Sequence, residues 1–163
     1  MALSEEVKHA LGRPIGRIPS GVYILTAQSG ANRYAMLASW VQQASFDPPA
    51  VSIALAERRP IGEAIRATGR LALSILPAGD TTLMKKYARG IPEGEDPFAG
   101  MATIVTPSGI PALGDALAWL ECKVIQTCDF GGDHDLVIAE ITAAQMIKDG
   151  APFTHIRGNG FHY

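Results

Sequence analysis

Residues 35–55, AMLASWVQQASFDPPAVSIAL, decide the fold of this chain. Two apolar runs flank a short polar insert at residues 42–45, which leads into Asp47, Pro48 and Pro49. A di-proline donates no backbone hydrogen bonds and holds the chain extended. We therefore expect a stiff, exposed connection between two strands rather than a tight hairpin. The following run, residues 50–56, has the pattern of a buried strand, and it ends in the cationic turn at residues 57–60.

Alternation, caps and turn residues predict the other elements. A short helix is capped by Ser4 and ends between Gly12 and Pro14, and a second helix is capped by Asp80. A further helix spans residues 61–68, and the other strands span residues 22–27, 33–39, 70–76, 116–128 and 136–147, with a short one within 153–157. Residues 28–32 are a predicted hairpin loop, and residues 90–109 a long loop that forms a lid, an interface segment or a disordered stretch.

Five or six strands with mostly hairpin-type links predict a mainly β protein with a few helices, antiparallel and closed into a barrel. We expect one domain over residues 1–163, with the amino-terminal helix and lead-in at 1–16 and the barrel at 17–163. An apolar fraction of 47% and a charged fraction of 18% are typical of a globular protein with a full core.

Charge and hydropathy argue against several classes of function. The net charge is −2 without any basic block, which disfavours nucleic-acid binding. No run is long enough to span a membrane and no apolar signal core is present, so a cytoplasmic location is expected. Cys122 and Cys128 match no usual zinc pattern and are predicted to be reduced thiols, and the four histidines do not pair at metal-ligand spacing.

The run MLASWVQQASFDPP at residues 36–49, followed by a seven-residue strand, resembles the flavin reductase-like family of FMN-binding split barrels. It is most similar to the branch of flavoredoxins and the carboxy-terminal domain of cyanobacterial diflavin flavoproteins. The resemblance extends from residue 17 to residue 163. Weaker similarities are the run GDHDLV at residues 132–137 and the tail HIRGNGFHY.

This resemblance implies an FMN site along residues 37–41. Small side chains at a strand end allow backbone amides to reach the acceptor atoms of a flavin ring, while Ser39 adds a hydroxyl and Trp40 stacks on the ring or walls the pocket. Guanidinium groups pair with phosphate oxygens, so Ser45, Arg58 and Arg59 are the phosphate candidates. The predicted cofactor-binding residues are Leu37, Ala38, Ser39, Trp40, Val41, Ser45, Ala54, Ala56, Arg58, Arg59, His155 and Tyr163.

Strand alternation predicts that Ala54, Ala56 and Arg58 point the same way, which leaves room for the ring and ends at the phosphate. His134 is the predicted catalytic residue, because the histidine of this run lies near flavin and nicotinamide in the family. The residues alone leave alternatives open: Trp40 in an ordinary core, the arginines in a solvated turn, His134 on a surface and the tail frayed at the terminus.

Three functions are consistent with these residues. The first is an FMN-binding oxidoreductase that takes hydride from NADH or NADPH and passes electrons to an acceptor or a second protein. The second is a flavin carrier that shuttles electrons between protein partners without nicotinamide turnover, and the third is a split barrel with another ligand or none. No GxGxxG or Walker A pattern marks a dinucleotide fold, and FMN is expected rather than FAD. A homodimer with flavin near the subunit interface is expected from the relatives.

Overall fold

The computed structural model describes residues 3–92 and 94–161. Within them lie three helices, α1 (Glu5–Gly16), α2 (Pro60–Thr68) and α3 (Thr81–Ala88), and eleven strands. The strands are β1 (Ser20–Gly21), β2 (Tyr23–Ser29), β3 (Asn32–Ala38), β4 (Val41–Phe46), β5 (Pro49–Ala56), β6 (Arg70–Ile75), β7 (Thr103–Val105), β8 (Pro111–Leu113), β9 (Ala118–Asp129), β10 (His134–Met146) and β11 (Thr154–His155). None of the helices in these ranges is long and apolar enough to cross a membrane.

Seven strands form one antiparallel sheet in the order β3-β2-β6-β9-β10-β5-β4. The edge strands β3 and β4 are separated along the chain only by Ser39 and Trp40. In a flat sheet of this width the two edges would lie about 29 Å apart. Three peptide steps span at most about 11 Å. The sheet therefore curls until its edges meet at this connection, which confirms the predicted mainly β, antiparallel fold.

Helix α2 fills the space inside the curled sheet. Its apolar residues Ile61, Ala64 and Ile65 are buried in one cluster with residues of β2, β5, β6 and β10. The helix predicted over residues 61–68 is confirmed, and Gly69 ends it with a left-handed φ of 65°. It begins one residue earlier, at Pro60, a residue favoured in the first turn of a helix. In α3, Asp80 accepts hydrogen bonds from the backbone N–H groups of Thr82 and Leu83, which confirms the predicted cap.

The predicted long loop at residues 90–109 contains a strand. β7 pairs with β8, and this hairpin packs on the outside of the sheet. Polar side chains fasten it: Thr26 donates to the Pro111 carbonyl at 2.7 Å, and Ser74 accepts from the Leu113 N–H at 2.9 Å. Glu121 accepts from both the N–H and the hydroxyl of Ser108, at 2.8 and 2.7 Å. These tertiary bonds hold β8 and the turn at Ser108, and β8 pairs in turn with β7.

The prediction of a stiff, exposed connection instead of a tight hairpin is wrong. Residues 41–46 form edge strand β4, which pairs with β5 from Val41 opposite Ile53 to Phe46 opposite Pro49. Asp47 and Pro48 form a two-residue turn. Proline is tolerated in turns and at the first position of a strand, so the di-proline is compatible with a tight hairpin. The insert is polar because its edge strand is largely exposed, not because it forms a loop.

The predicted end of α1 is also wrong. The helix continues through Gly12 and Pro14 to Gly16. Gly12 and Gly16 are buried against the carboxy-terminal tail, where a Cβ atom on Gly12 would lie 2.6 Å from Asn159 Oδ1. These glycines serve close packing rather than helix termination. The predicted hairpin loop at residues 28–32 is likewise shorter, since β2 and β3 pair as far as Ser29 opposite Asn32.

Replacing Glu121 by Gln is expected to lower the free energy of unfolding at neutral pH by about 1–3 kcal/mol, because charge-assisted hydrogen bonds are lost. Burial alone would raise the pKa of Glu121, but the Thr106 hydroxyl, the Ser108 donors and the Arg70 guanidinium hold this pKa below its usual value of 4.5. The contribution of the carboxylate is therefore present at neutral pH and lost as the pH falls through the lowered pKa.

Urea unfolding of the parent and Glu121→Gln proteins, at neutral pH and in acid, measures this effect. The difference between the two proteins should shrink in acid. A difference that is equal at both pH values would contradict this role of the carboxylate. The exposed Glu63→Gln variant is the control and should differ little from the parent.

Candidate functional site

His134, Trp40 and Arg157 come from distant parts of the chain and form one cluster, called here the Trp40 cluster. The rings of Trp40 and His134 have their centroids 4.7 Å apart at an angle of 45°. The Arg157 Cζ atom lies 5.0 Å from the centre of the Trp40 ring. His134 and Arg157 are only 7% and 8% exposed. The Trp40 ring thus packs against both the Arg157 guanidinium and the His134 imidazole.

Strand pairing positions this cluster. The Ala54 N–H donates to the Trp40 carbonyl at 3.0 Å, which fixes the connection between β3 and β4 against β5. His134 is paired with Ala56, and Leu136 with Ala54. Directly paired residues of an antiparallel sheet point to the same face. The two predicted small residues therefore lie on the same sheet face as His134 and leave space next to it.

Asp133 orients the imidazole of His134. Its Oδ1 atom lies 2.7 Å from His134 Nδ1. The hydrogen bond from His134, followed by the charge of the ring, holds the pKa of Asp133 below its usual value. A carboxylate at Nδ1 favours the tautomer that carries its hydrogen on that nitrogen. Asp133 is thus suited to fix the ring orientation of His134.

The cationic turn lies beside the start of β10. The Glu57 N–H donates to the Asp133 carbonyl at 3.1 Å, which ties this turn to the residue before His134. Arg58 has a φ of 41° and Arg59 is the N-cap residue of α2, both with exposed side chains. Because β5 ends at Ala56, strand alternation does not extend to Arg58, and the prediction that Arg58 continues the Ala54 and Ala56 face is wrong.

The other predicted residues take three kinds of position. Ser39 is buried beside Trp40, whereas the Val41 side chain belongs to the apolar core. Ser45 is paired with Ala50 near the far end of β4, about 17 Å along the strand from Trp40. The structure therefore does not bring Ser45 to the Trp40 cluster.

The remaining predicted cofactor-binding residues lie on β3 and in the carboxy-terminal tail. Leu37 and Ala38 end β3, with Leu37 packed against the second apolar cluster. His155 is half-buried on β11, opposite Ser20 and two residues before Arg157. Tyr163 lies outside the described residues.

Arg157 belongs to the tail whose resemblance to the family implies packing near the flavin edge, but it was not among the residues predicted to bind the cofactor. Sequence reasoning placed it in the tail, and nothing in the local pattern shows that a tail arginine is buried. The glycines of α1 and of the tail are the signal that marks this packing. The Arg157 N–H donates to the Gly16 carbonyl at 3.1 Å, and the Gly160 N–H donates to the Gly12 carbonyl at 2.7 Å. The tail thereby lies directly on α1, which holds Arg157 against Trp40.

The variant Gly16→Ala is expected to displace the tail, because the new Cβ would lie 2.7 Å from the Arg157 carbonyl oxygen. Overpacking of this kind costs about 1–3 kcal/mol. Denaturant unfolding measures the loss, and a change in tryptophan emission reports on the surroundings of Trp40. Gly158→Ala is the matched control in the same tail, since its Cβ meets nothing within 4 Å. Equal behaviour of the two variants would show that Gly16 is not a packing position.

A cavity of about 200 Å³ opens on the other face of β5 and β10. Leu55, Ile65 and Val137 line its apolar part, and Arg66 and Asp135 lie at its rim as an ion pair at 3.7 Å. Asp135 follows His134 on β10 and points to the opposite face. This cavity is therefore separate from the Trp40 cluster.

Residues 15–162 match the family model described as flavin reductase like domain. The chain belongs to this family. Among curated relatives, diflavin flavoprotein A 1 of Synechocystis sp. is 42% identical over 155 residues, which cover 94% of this chain but 27% of that protein. The putative diflavin flavoprotein A 1 of Thermosynechococcus vestitus is 40% identical with the same coverage. The chain thus spans about a quarter of the length of these curated relatives.

Solved structures of this family have the same fold. The NADH:FAD oxidoreductase SgcE6 of Streptomyces globisporus superposes with a TM-score of 0.84 at 26% identity, covering 98% of this chain and 93% of that one. A homologue of nitrilotriacetate monooxygenase component B from Mycobacterium thermoresistibile has a TM-score of 0.83 at 26% identity, covering 95% and 86% of the two chains. The fold and family predicted from residues 36–49 are confirmed.

Proposed function

We propose that this protein is an FMN-binding oxidoreductase that accepts hydride from NADH or NADPH. The observation that carries the proposal is the Trp40 cluster, which borders the open sheet face of Ala54 and Ala56 in a chain of the flavin reductase-like family. When bound, the flavin supplies the hydride-accepting ring. The protein supplies binding, orientation and electrostatics.

The residues present fit such a cofactor. Small side chains at Ala54 and Ala56 leave space for a flat ring, and Trp40 forms an aromatic wall at one end of this space. The turn that carries Arg58 and Arg59 is joined to the site through the Glu57–Asp133 hydrogen bond. A cationic turn at this position suits the phosphate end of FMN. His134, held by Asp133, is suited to hydrogen-bond the ring or orient the nicotinamide.

FMN rather than FAD is proposed because no adenine or pyrophosphate motif is present in the sequence. The structurally similar SgcE6 is an NADH:FAD oxidoreductase, which supports nicotinamide as the hydride donor and leaves the identity of the flavin to be tested. The cofactor should be released by heat from protein purified without added flavin and identified by chromatography. Predominant FMN in the native preparation is expected, and predominant FAD would overturn this choice.

Electron carriage without nicotinamide turnover is the second candidate function. It is favoured by the 42% identity to a diflavin flavoprotein, of which this chain matches about a quarter. A carrier would exchange electrons with protein partners, so its bound flavin would be reduced by dithionite or a reductase but not by NADH or NADPH. Anaerobic reduction experiments separate the two functions.

A homodimer with flavin near the subunit interface is also part of the proposal. The site is open on the side of Ala54, Ala56 and Leu136, which are half-buried in a single chain. A partner subunit would cover this face and exclude water from the ring. Sedimentation of the flavin-loaded protein tests this, and a monomer that retains its flavin would contradict it.

A further inference from the structure

Helix α1 presents an apolar face to solvent. Val7 and Leu11 of the helix, and Leu3 just before its N-cap residue Ser4, recur at every fourth position and are 40%, 44% and 47% exposed. Residues at this spacing lie on one side of a helix. Ala10 and Pro14, also exposed, belong to the same side. This set, Leu3, Val7, Ala10, Leu11 and Pro14, is called here the α1 face.

The α1 face points away from the body of its own chain. The helix docks on the tail through Gly12 and Gly16, which are buried. Helical geometry places the α1 face well around the helix from these glycines. An amphipathic helix ordinarily buries its apolar side, but α1 buries its glycine side and leaves the apolar side in water. The helix therefore leaves an apolar surface available for a partner.

Charges beside the α1 face indicate what this partner is. Glu6 and Arg13 are seven residues apart, two helical turns, and flank the same edge of the face. Glu5 pairs with Lys8 at 2.8 Å, while no ion pair is recorded for Glu6 or Arg13 within residues 3–92 and 94–161. An antiparallel copy of α1 would place Glu6 opposite Arg13 of the other copy, and two-fold symmetry would form this pair twice. The small side chain of Ala10 lies near the centre of such a crossing and permits close approach.

We propose that the α1 face binds the α1 face of a second copy of this chain, antiparallel, as part of a homodimer interface. This inference rests on the homodimer of the proposed function and adds the α1 face to its interface. A stable interface buries about 800 Å² on each partner, more than one short helix offers. The contact must therefore extend beyond α1, and Ile18 and Phe161, 62% and 39% exposed, lie in segments adjoining its carboxy-terminal end.

This contact would support the candidate site. Gly12 and Gly16 lie on the other side of the same helix and hold the tail that carries Arg157 to Trp40. A helix clamped between a second subunit and the tail is held more firmly than a helix at a free surface. Loss of the contact is therefore expected to loosen the Trp40 cluster.

The first test replaces both Val7 and Leu11 by Glu and measures the mass of the flavin-saturated protein by sedimentation velocity. The parent should sediment as a dimer and the variant as a monomer at the same concentration. His9→Glu, on the same helix but outside the α1 face, is the control and should remain dimeric. A monomeric parent, or a double variant that remains dimeric, would overturn the inference.

A charge exchange keeps the test decisive if the double variant of Val7 and Leu11 folds poorly. Arg13→Glu should weaken the dimer roughly threefold to thirtyfold, because two pairs of like charge replace two ion pairs. Adding Glu6→Arg in the same chain should restore the parent affinity, since each copy then carries the exchanged pair. Failure of this restoration would contradict the antiparallel contact.

Flavin binding is measured on the same samples, so the two proposals fail separately. A dimer with this behaviour that binds no flavin would overturn the proposed function and leave the interface standing. A protein that binds flavin but whose sedimenting mass is unchanged by substitutions in the α1 face would overturn the interface and leave the proposed function standing.

Discussion

Replacing both Arg58 and Arg59 by Ala is expected to weaken FMN binding at least tenfold and to leave riboflavin binding nearly unchanged. The FMN phosphate is anionic, and the cationic turn adjoins the start of β10 through the Glu57–Asp133 hydrogen bond. A charge-assisted hydrogen bond contributes about 1.5–3 kcal/mol. This range corresponds to about a tenfold to hundredfold change in affinity. Riboflavin lacks the phosphate and depends on the ring site, which the substitution does not touch.

Titration of both proteins with both ligands, followed by flavin fluorescence, measures this difference. Arg89→Ala, an exposed arginine after α3, is the control for a general loss of positive charge. Equal losses for FMN and riboflavin would mean that the arginines support the fold rather than the phosphate. No loss for either ligand would place the phosphate elsewhere, and Ser45 with the backbone of β4 is then the remaining predicted candidate.

The variant His134→Ala is expected to slow reduction of the bound flavin by NADH or NADPH about tenfold to hundredfold, the effect of losing a hydrogen bond to a group that becomes charged. FMN affinity should change much less, because the ring and phosphate contacts proposed for Trp40 and the arginines remain. Stopped-flow mixing under anaerobic conditions gives the rate, and fluorescence titration gives the affinity.

His9→Ala is the control for this substitution, since His9 is an exposed histidine of α1 far along the chain from the Trp40 cluster. An unchanged rate in His134→Ala would remove His134 from the catalytic role. A large loss of FMN affinity with an unchanged rate in the saturated protein would assign His134 to binding instead.

The sequence predicts the elements whose boundaries depend only on neighbouring residues. Gly69 marks the end of α2, and Asp80 marks the start of α3, because capping depends on residues within one turn. Residues 36–49 carry enough specific pattern to place the family. These features depend little on the rest of the chain, and the structure confirms them.

Features that depend on tertiary contacts could not be predicted from the sequence pattern. β4 is a strand because it pairs with β5, although its polar residues resemble a loop. β7 and β8 persist because Thr26, Ser74 and Glu121 fasten that region. The burial of Arg157 against Trp40 was not predicted for the same reason, because its position depends on the packing of two glycines of α1 on the tail. Arg58 was misplaced because a strand periodicity was continued beyond the end of the strand.

The most direct test of the proposed function is the absorption spectrum of the FMN-loaded protein, recorded anaerobically before and after addition of NADH or NADPH without any partner protein. Hydride transfer predicts that at least one of the two nicotinamides bleaches the oxidised flavin spectrum, and that air restores it. A spectrum that stays oxidised with both nicotinamides, yet bleaches with dithionite, would contradict hydride acceptance and leave the protein as an electron carrier.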